Sequence, residues 1–256
     1  MNQTIEKIIK KYPYIHPEEW QELAETIRKT NPEWREIAEA AQALAEGNMN
    51  KAIEIARKKL ESKNEEEKNL ATLIYAWPRI THTIELTREP TKENIAVLLS
   101  QTKIIEHITS TLSKLTGKLK ETKRTACELL TINIRNTALQ LYDRGYYREA
   151  ETLLRTALHI TKISENKQHY ATTCNNLGTL LSDMGRFEEA KQYYQEALDN
   201  YRKLLKTDPE NKQYQAWTAG AYNNLGALLY GMGRFEEAKQ YYQEALDNYR
   251  KLLKTD

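Results

Sequence analysis

The stretch Met184–Asp208, MGRFEEAKQYYQEALDNYRKLLKTD, occurs a second time without change at Met232–Asp256. The copies lie 48 residues apart, and a related run precedes each: CNNLG at Cys174–Gly178 and YNNLG at Tyr222–Gly226. Self-similarity at a period of a few tens of residues marks an array in which each unit stacks on its neighbours. Both copies are rich in helix-forming residues and are interrupted by a tight turn at MGRF. Between them, DPENKQYQ (208–215) supplies a break, because Pro209 cannot continue a helix and a polar stretch follows it. Each unit therefore reads as helix, turn, helix and short linker.

Two weaker units lie upstream. LYDRGYYREAETLLRTAL (141–158) aligns with the copies through its turn glycine, aromatic and alanine. In that frame Gly145, Gly185 and Gly233 make the turns. Tyr147, Phe187 and Phe235 follow two residues later, and Ala150, Ala190 and Ala238 five residues later. AEGNMNKAIEIARKKL (45–60) places Gly47, Met49 and Ala52 in the same positions, a degenerate fourth unit.

The spacing predicts helix pairing. Ala190, Tyr194, Ala197, Tyr201 and Leu204 fall on one face of the second helix. Cys174, Leu177, Gly178 and Leu181 form the facing stripe of the first. Gly178, Ala190 and Ala197 are small, which allows close approach. One hairpin cannot bury both stripes, whereas stacked neighbours can. On this reading Tyr194, Tyr201, Tyr242 and Tyr249 belong to the core rather than to a base-stacking surface.

The order NNLG…L…MGRFEEA…YYQEAL resembles the tetratricopeptide repeat, in the longer form of kinesin light chains and many archaeal and bacterial proteins. Leu177, Gly178, Leu181, Gly185, Phe187, Ala190, Tyr194 and Ala197 match its signature positions, as do Leu225, Gly226, Leu229, Gly233, Phe235, Ala238, Tyr242 and Ala245. The unit at 131–163 departs from the pattern, with Thr137 and Ala138 where Leu and Gly stand later. The resemblance covers about 121–256 well and 31–62 loosely. It implies an all-α fold, a right-handed superhelical solenoid of antiparallel helix hairpins. The expected organisation is an N-terminal helical region at 1–120, with a repeat-like hairpin at about 31–62. Three repeats follow, at about 121–164, 167–208 and 214–256.

Outside the repeats, residues 1–30 read as two short helices, the second opening at HPEEW with Pro17 in its first turn. NPEWREIAEAAQALAEG opens in the same way, with Asn31 as cap and Pro32 in the first turn. Residues 64–116 predict two longer helices, about 65–87 and 91–116, the first kinked at Pro78. The run LLKTD that closes the sequence is not followed by a polar capping helix, which leaves the last helix expected to continue, to be covered, or to self-associate through Leu252–Leu253.

Composition narrows the function classes. The chain has 256 residues with 38 basic and 36 acidic side chains, a formal charge of +2, so no basic excess calls for nucleic acid. Glycine (9) and proline (6) are scarce, as suits an all-helical protein. No apolar run approaches a membrane span and the N-terminus lacks a signal-peptide core, which predicts a soluble cytoplasmic chain. Cys127 and Cys174 have no metal or disulfide spacing. The five histidines are scattered, and none has the spacing that places two ligands on one helical face. Gly117-Lys118 in LSKLTGKLKET (112–122) lacks the flanking glycine and strand of a phosphate loop and reads as an inter-helix turn. No catalytic residue, metal or cofactor is expected, and the chain reads as a non-enzyme.

What remains is the asparagines. Asparagine is a poor helix-interior residue because its side chain competes for backbone groups. Away from the core stripe, the first helices carry Arg135, Asn136 and Leu139, then Asn175, Asn176 and Thr179, then Asn223, Asn224 and Ala227. Asn136, Asn176 and Asn224 share a register along the expected concave wall. A carboxamide both donates and accepts, so it can pair with a peptide unit without reading side chains. In similar tetratricopeptide proteins asparagines at this place grip the backbone of a bound segment, so the resemblance implies a peptide-binding groove. The alternative is structural, with Asn176 bonding to the next repeat and fixing the stacking angle. The family's two-carboxylate clamp for chaperone tails needs several cations. Arg135 is the only one among these face residues, and Gly220 and Ala227 leave the third repeat short of charge. A neutral or mildly acidic peptide, or an inserted helix, is the expected partner. Other readings are an end-to-end scaffold and a regulatory segment of a longer enzyme or transcription factor.

Overall fold

A computed structural model of the chain describes residues 3–88, 90–113, 115 and 119–253. Gly117-Lys118 lies outside the described residues. Among them the regular structure is helical throughout, with 13 α-helices and one short 3-10 turn, and most helices adjacent in the chain pack against one another. The chain divides into two compact units, Met1–Asn133 and Ile134–Asp256.

The N-terminal unit opens with α1 (Gln3–Ile9), α2 (Pro17–Thr30), α3 (Arg35–Ala45) and α4 (Met49–Lys58). Pro17 begins α2 as expected, and the Glu19 carboxylate accepts from the His16 backbone N–H at 3.0 Å. Asn31 behaves differently from the expectation. Its side chain caps nothing; its Oδ1 accepts from the Thr30 hydroxyl at 2.8 Å, and Pro32–Trp34 forms a 3-10 turn before α3 begins. The next helix, α5 (Glu65–Arg88), runs through Pro78 without interruption. The Tyr75 carbonyl there accepts from Arg79 Nη1 at 3.1 Å.

The single helix expected over 91–116 is two, α6 (Lys92–Ser100) and α7 (Thr102–Ser113). Around the break, the Ser100 hydroxyl donates to Val97 O at 2.7 Å and the Thr102 hydroxyl to Leu99 O at 3.1 Å. Such short polar side chains offer the backbone an alternative to continuous helix, and periodicity alone does not register them.

α8 (Lys120–Asp143) contains the division between the units. The C-terminal unit continues with α9 (Tyr147–Ser164), α10 (Lys167–Asp183), α11 (Phe187–Thr207), α12 (Lys212–Gly231) and α13 (Phe235–Leu253).

The hairpin turns are built identically. Gly47, Gly145, Gly185 and Gly233 have φ of 73°, 82°, 75° and 75°, the left-handed region that side chains disfavour. After each glycine an N–H reaches back five residues: Asn48 to Ala43, Tyr146 to Leu141, Arg186 to Leu181 and Arg234 to Leu229, at 2.7 to 2.9 Å. This cap satisfies helix-end carbonyls that otherwise lack partners. The α3–α4 turn in the N-terminal unit thus shares the geometry of the repeat turns.

The core stripe of the middle repeat is buried as the spacing predicts: Cys174, Leu177, Leu181, Ala190, Tyr194, Ala197 and Tyr201 are all inside, and Leu204 is half-buried. At Gly178 a Cβ would stand 2.6 Å from Tyr194 Cδ1, so the helices approach as closely as the missing side chain permits. Tyr242 and Tyr249 depart from the expectation. They are exposed, because among the described residues α12 is the one helix packed extensively on α13 and it leaves their side open.

Candidate binding surface

The first helices of the repeats, α8, α10 and α12, carry the predicted residues on a face that is open to solvent. Asn136, Asn223 and Ala227 are exposed, and Arg135, Leu139, Asn175, Asn176, Thr179 and Asn224 are half-buried. α10 and α12 are neighbours, although the whole of α11 separates them in sequence.

Two of the asparagines meet across that contact. Asn224 Nδ2 donates to Asn175 Oδ1 at 2.9 Å, so Asn224 turns to the neighbouring repeat. Thr179 is also committed: its hydroxyl donates to Asn175 O at 3.2 Å and accepts from Tyr194 OH at 3.0 Å. The carboxamides of Asn136, Asn176 and Asn223 make no hydrogen bond to other described residues. Their donors and acceptors stay available on the surface.

One repeat earlier, Arg135 stands where Asn175 stands and Asn176 where Asn224 stands. The pair is not reproduced. Arg135 Nη1 is buried and has no hydrogen-bond partner within the chain. Burial holds the guanidinium below its ordinary range, and Tyr201 acts weakly in the other direction. A half-desolvated cation with an unused N–H has strong affinity for any oxygen acceptor brought to it.

Beside Arg135 lies an aromatic cluster that the sequence pattern did not assign to this face. Tyr201 OH donates to Thr172 Oγ1 at 3.2 Å, and burial pushes the phenol up to about 12. Its ring centroid is 5.7 Å from that of Trp217, which is 5.7 Å from Tyr214. Trp217 and Tyr214 sit three apart in the first turns of α12, a spacing that places both rings on one face. That i, i+3 pair is the signal by which they were detectable.

Reactive chemistry is sparse. Cys127 and Cys174 are free and buried, and burial pushes both thiols up to about 12. Among the described residues no group of His, Cys, Asp or Glu has metal-binding geometry, and no helix is long and apolar enough to cross a membrane.

Hairpins closed by one glycine cap, stacked through small residues at fixed positions, define the tetratricopeptide-repeat class. Residues 129–203 and 218–256 match tetratricopeptide repeat families, so the C-terminal half of the chain is built of tetratricopeptide repeats. Its fold resembles that of BtubC (BKLC) from P. vanneervenii, with 17% identity over 98% of this chain and 93% of that one and a TM-score of 0.44. A Podosopora anserina kinesin light chain with nearly identical repeats is 13% identical over 90% and 96%, with a TM-score of 0.38. A signal-transduction ATPase with a tetratricopeptide-repeat sensor from Pyrococcus horikoshii is 19% identical over 98% of this chain and 34% of that one, at 0.42. No curated protein matches the sequence at a significant level.

Proposed function

We propose that the protein is a non-enzymatic interaction module of the cytoplasm, and that the repeats at about 121–256 hold an extended peptide along α8, α10 and α12. Asn136, Asn176 and Asn223 offer carboxamides to its backbone, while Arg135 takes a carbonyl or an acidic side chain. The observation that carries this reading is the buried, unpartnered Nη1 of Arg135 beside the unbonded Asn176. A charged N–H is costly to leave unsatisfied, and a ligand oxygen removes that cost. Near-neutral charge and a single cation on this face favour a neutral or mildly acidic segment over a strongly acidic one or a nucleic acid. The Asn175–Asn224 bond fixes the spacing of the first helices, and Thr179 locks onto its own hairpin. In this reading those residues shape the groove, and the free asparagines read the ligand.

The test is selection of peptides from a random display library on the full chain, followed by calorimetric titration of the winners. Arg135→Ala and Asn176→Ala should each weaken binding about ten-fold or more, given about 1.5–3 kcal/mol for a hydrogen bond to a charged group and about 1 for a neutral one. Selected peptides that bind both variants as tightly as the parent would place the site elsewhere.

A further inference from the structure

Helices α11 and α13 are identical in sequence from Phe187 to Leu205 and from Phe235 to Leu253, yet they differ in exposure. Tyr194 is 5% exposed and Tyr242 36%; Leu198 is 1% and Leu246 43%; Tyr201 is 3% and Tyr249 40%. Identical sequence leaves one cause, which is what lies on top. α11 is covered by α12, which follows after a short linker and packs back along it. The same side of α13 presents Tyr242, Leu246, Tyr249 and Leu253 to solvent, with Phe235, exposed like its counterpart Phe187, at its start, around a shallow cavity of about 380 Å³ edged by Tyr230. This surface is therefore one that, in its buried copy, accepts a helix running the other way.

We propose that α13 takes α13 of a second copy, antiparallel across a twofold axis, and that the protein is a closed dimer through this face. A twofold contact requires a surface that complements itself. The apolar stripe meets the requirement, because Tyr242 and Leu246 lie at the middle of the helix and Phe235 and Leu253 at its ends. Charge meets it too. On one flank of the stripe Glu236 stands in the first turn and Arg250 in the last. Antiparallel pairing centred near Gln243 sets Glu236 of each copy beside Arg250 of the other, twice. A parallel twofold pairing would put the two charged flanks on opposite sides of the contact, with Glu236 and Arg250 at different levels and unable to pair. The opposed helix dipoles favour the same direction. This surface is separate from the groove on the first helices, so either proposal stands or falls without the other.

Sedimentation velocity of the full chain across a concentration series tests it. The mass should rise from one copy to two and stop there. Leu246→Glu should weaken association by about ten-fold or more, since a carboxylate would be buried against apolar surface. At a dilution where the parent is monomeric its melting curve should match the parent's, because Leu246 is exposed in the monomer. Glu236→Lys should weaken the dimer, and Glu236→Lys combined with Arg250→Glu should restore it. A chain that stays monomeric at every concentration overturns the proposal. So does growth beyond two copies, which indicates head-to-tail stacking, or a dimer indifferent to Leu246→Glu.

Discussion

Replacing Gly178 or Gly226 with alanine is a matched experiment that the molecule itself supplies. Both glycines occupy the same position in successive repeats, and each faces a tyrosine of the following helix. A Cβ on Gly178 would stand 2.6 Å from Tyr194 Cδ1 and 2.9 Å from Cγ; a Cβ on Gly226 would stand 2.9 Å from Tyr242 Cδ1. Both substitutions gain about 1 kcal/mol of helix propensity. They differ in whether the ring can move. Tyr194 is buried, and its hydroxyl is held by Thr179 at 3.0 Å, whereas Tyr242 borders solvent. Displacing Tyr194 costs about 1–3 kcal/mol of overpacking and about 1 kcal/mol for the hydrogen bond. Gly178→Ala should therefore destabilise by roughly 1–3 kcal/mol net. Gly226→Ala should fall within about 1 kcal/mol of the parent, because the exposed ring swings aside. Urea unfolding followed by far-ultraviolet circular dichroism measures both, with hydrogen exchange in α10 and α11 locating the loss. Equal destabilisation by the two variants would refute the role given to ring freedom, and a neutral Gly178→Ala would refute the close approach itself.

Other substitutions probe separate links. Asn224→Ala removes the bond to Asn175, worth about 1 kcal/mol, against a propensity gain of about half that, so denaturation should show a small net loss. Asn176→Ala should be equal or slightly more stable; a loss above about 1 kcal/mol without ligand would give Asn176 a structural role. Gly185→Ala places a side chain at φ of 75° and should cost about 1–2 kcal/mol in the same assay. Burial alone would raise Glu151, but hydrogen bonds from Arg155 and Arg186 outweigh it and hold the carboxylate below its ordinary 4.5. Folding thus favours the ionised form. Its contribution is complete above pH 4.5, and is lost as the pH falls through the lowered folded value. The groups are partly exposed, so the effect is about 0.2–1 kcal/mol, and Glu151→Gln should flatten that part of an acid titration of stability.

The repeat grammar was legible because it rests on local rules. Glycine enters the left-handed turn at least cost, so Gly47, Gly145, Gly185 and Gly233 announce four hairpins before any coordinate is known. The apolar spacing around Ala190 and Tyr194 determines which face is buried, because the helix has one period. Local chemistry also explains the misses at Asn31 and at Gln101, where short polar side chains bond to neighbours instead of extending or capping a helix as the pattern suggests.

The rest depends on neighbours. That Asn224 meets Asn175, one position off the expected ladder, follows from the rotation and rise between adjacent first helices, which no single repeat encodes. Arg135 Nη1 is buried without a hydrogen-bond partner although Asn176, one repeat on, matches the Asn224 that bonds Asn175, and only packing reveals the orphan. The clearest case is the duplicated helix with which the sequence began its repeats. Its residues are the same in α11 and α13, so the sequence determined one amphipathic helix twice. Burial is a property of contact, not of composition, and only the tertiary structure decided that Tyr194 lies in a core while Tyr242 lies on a surface.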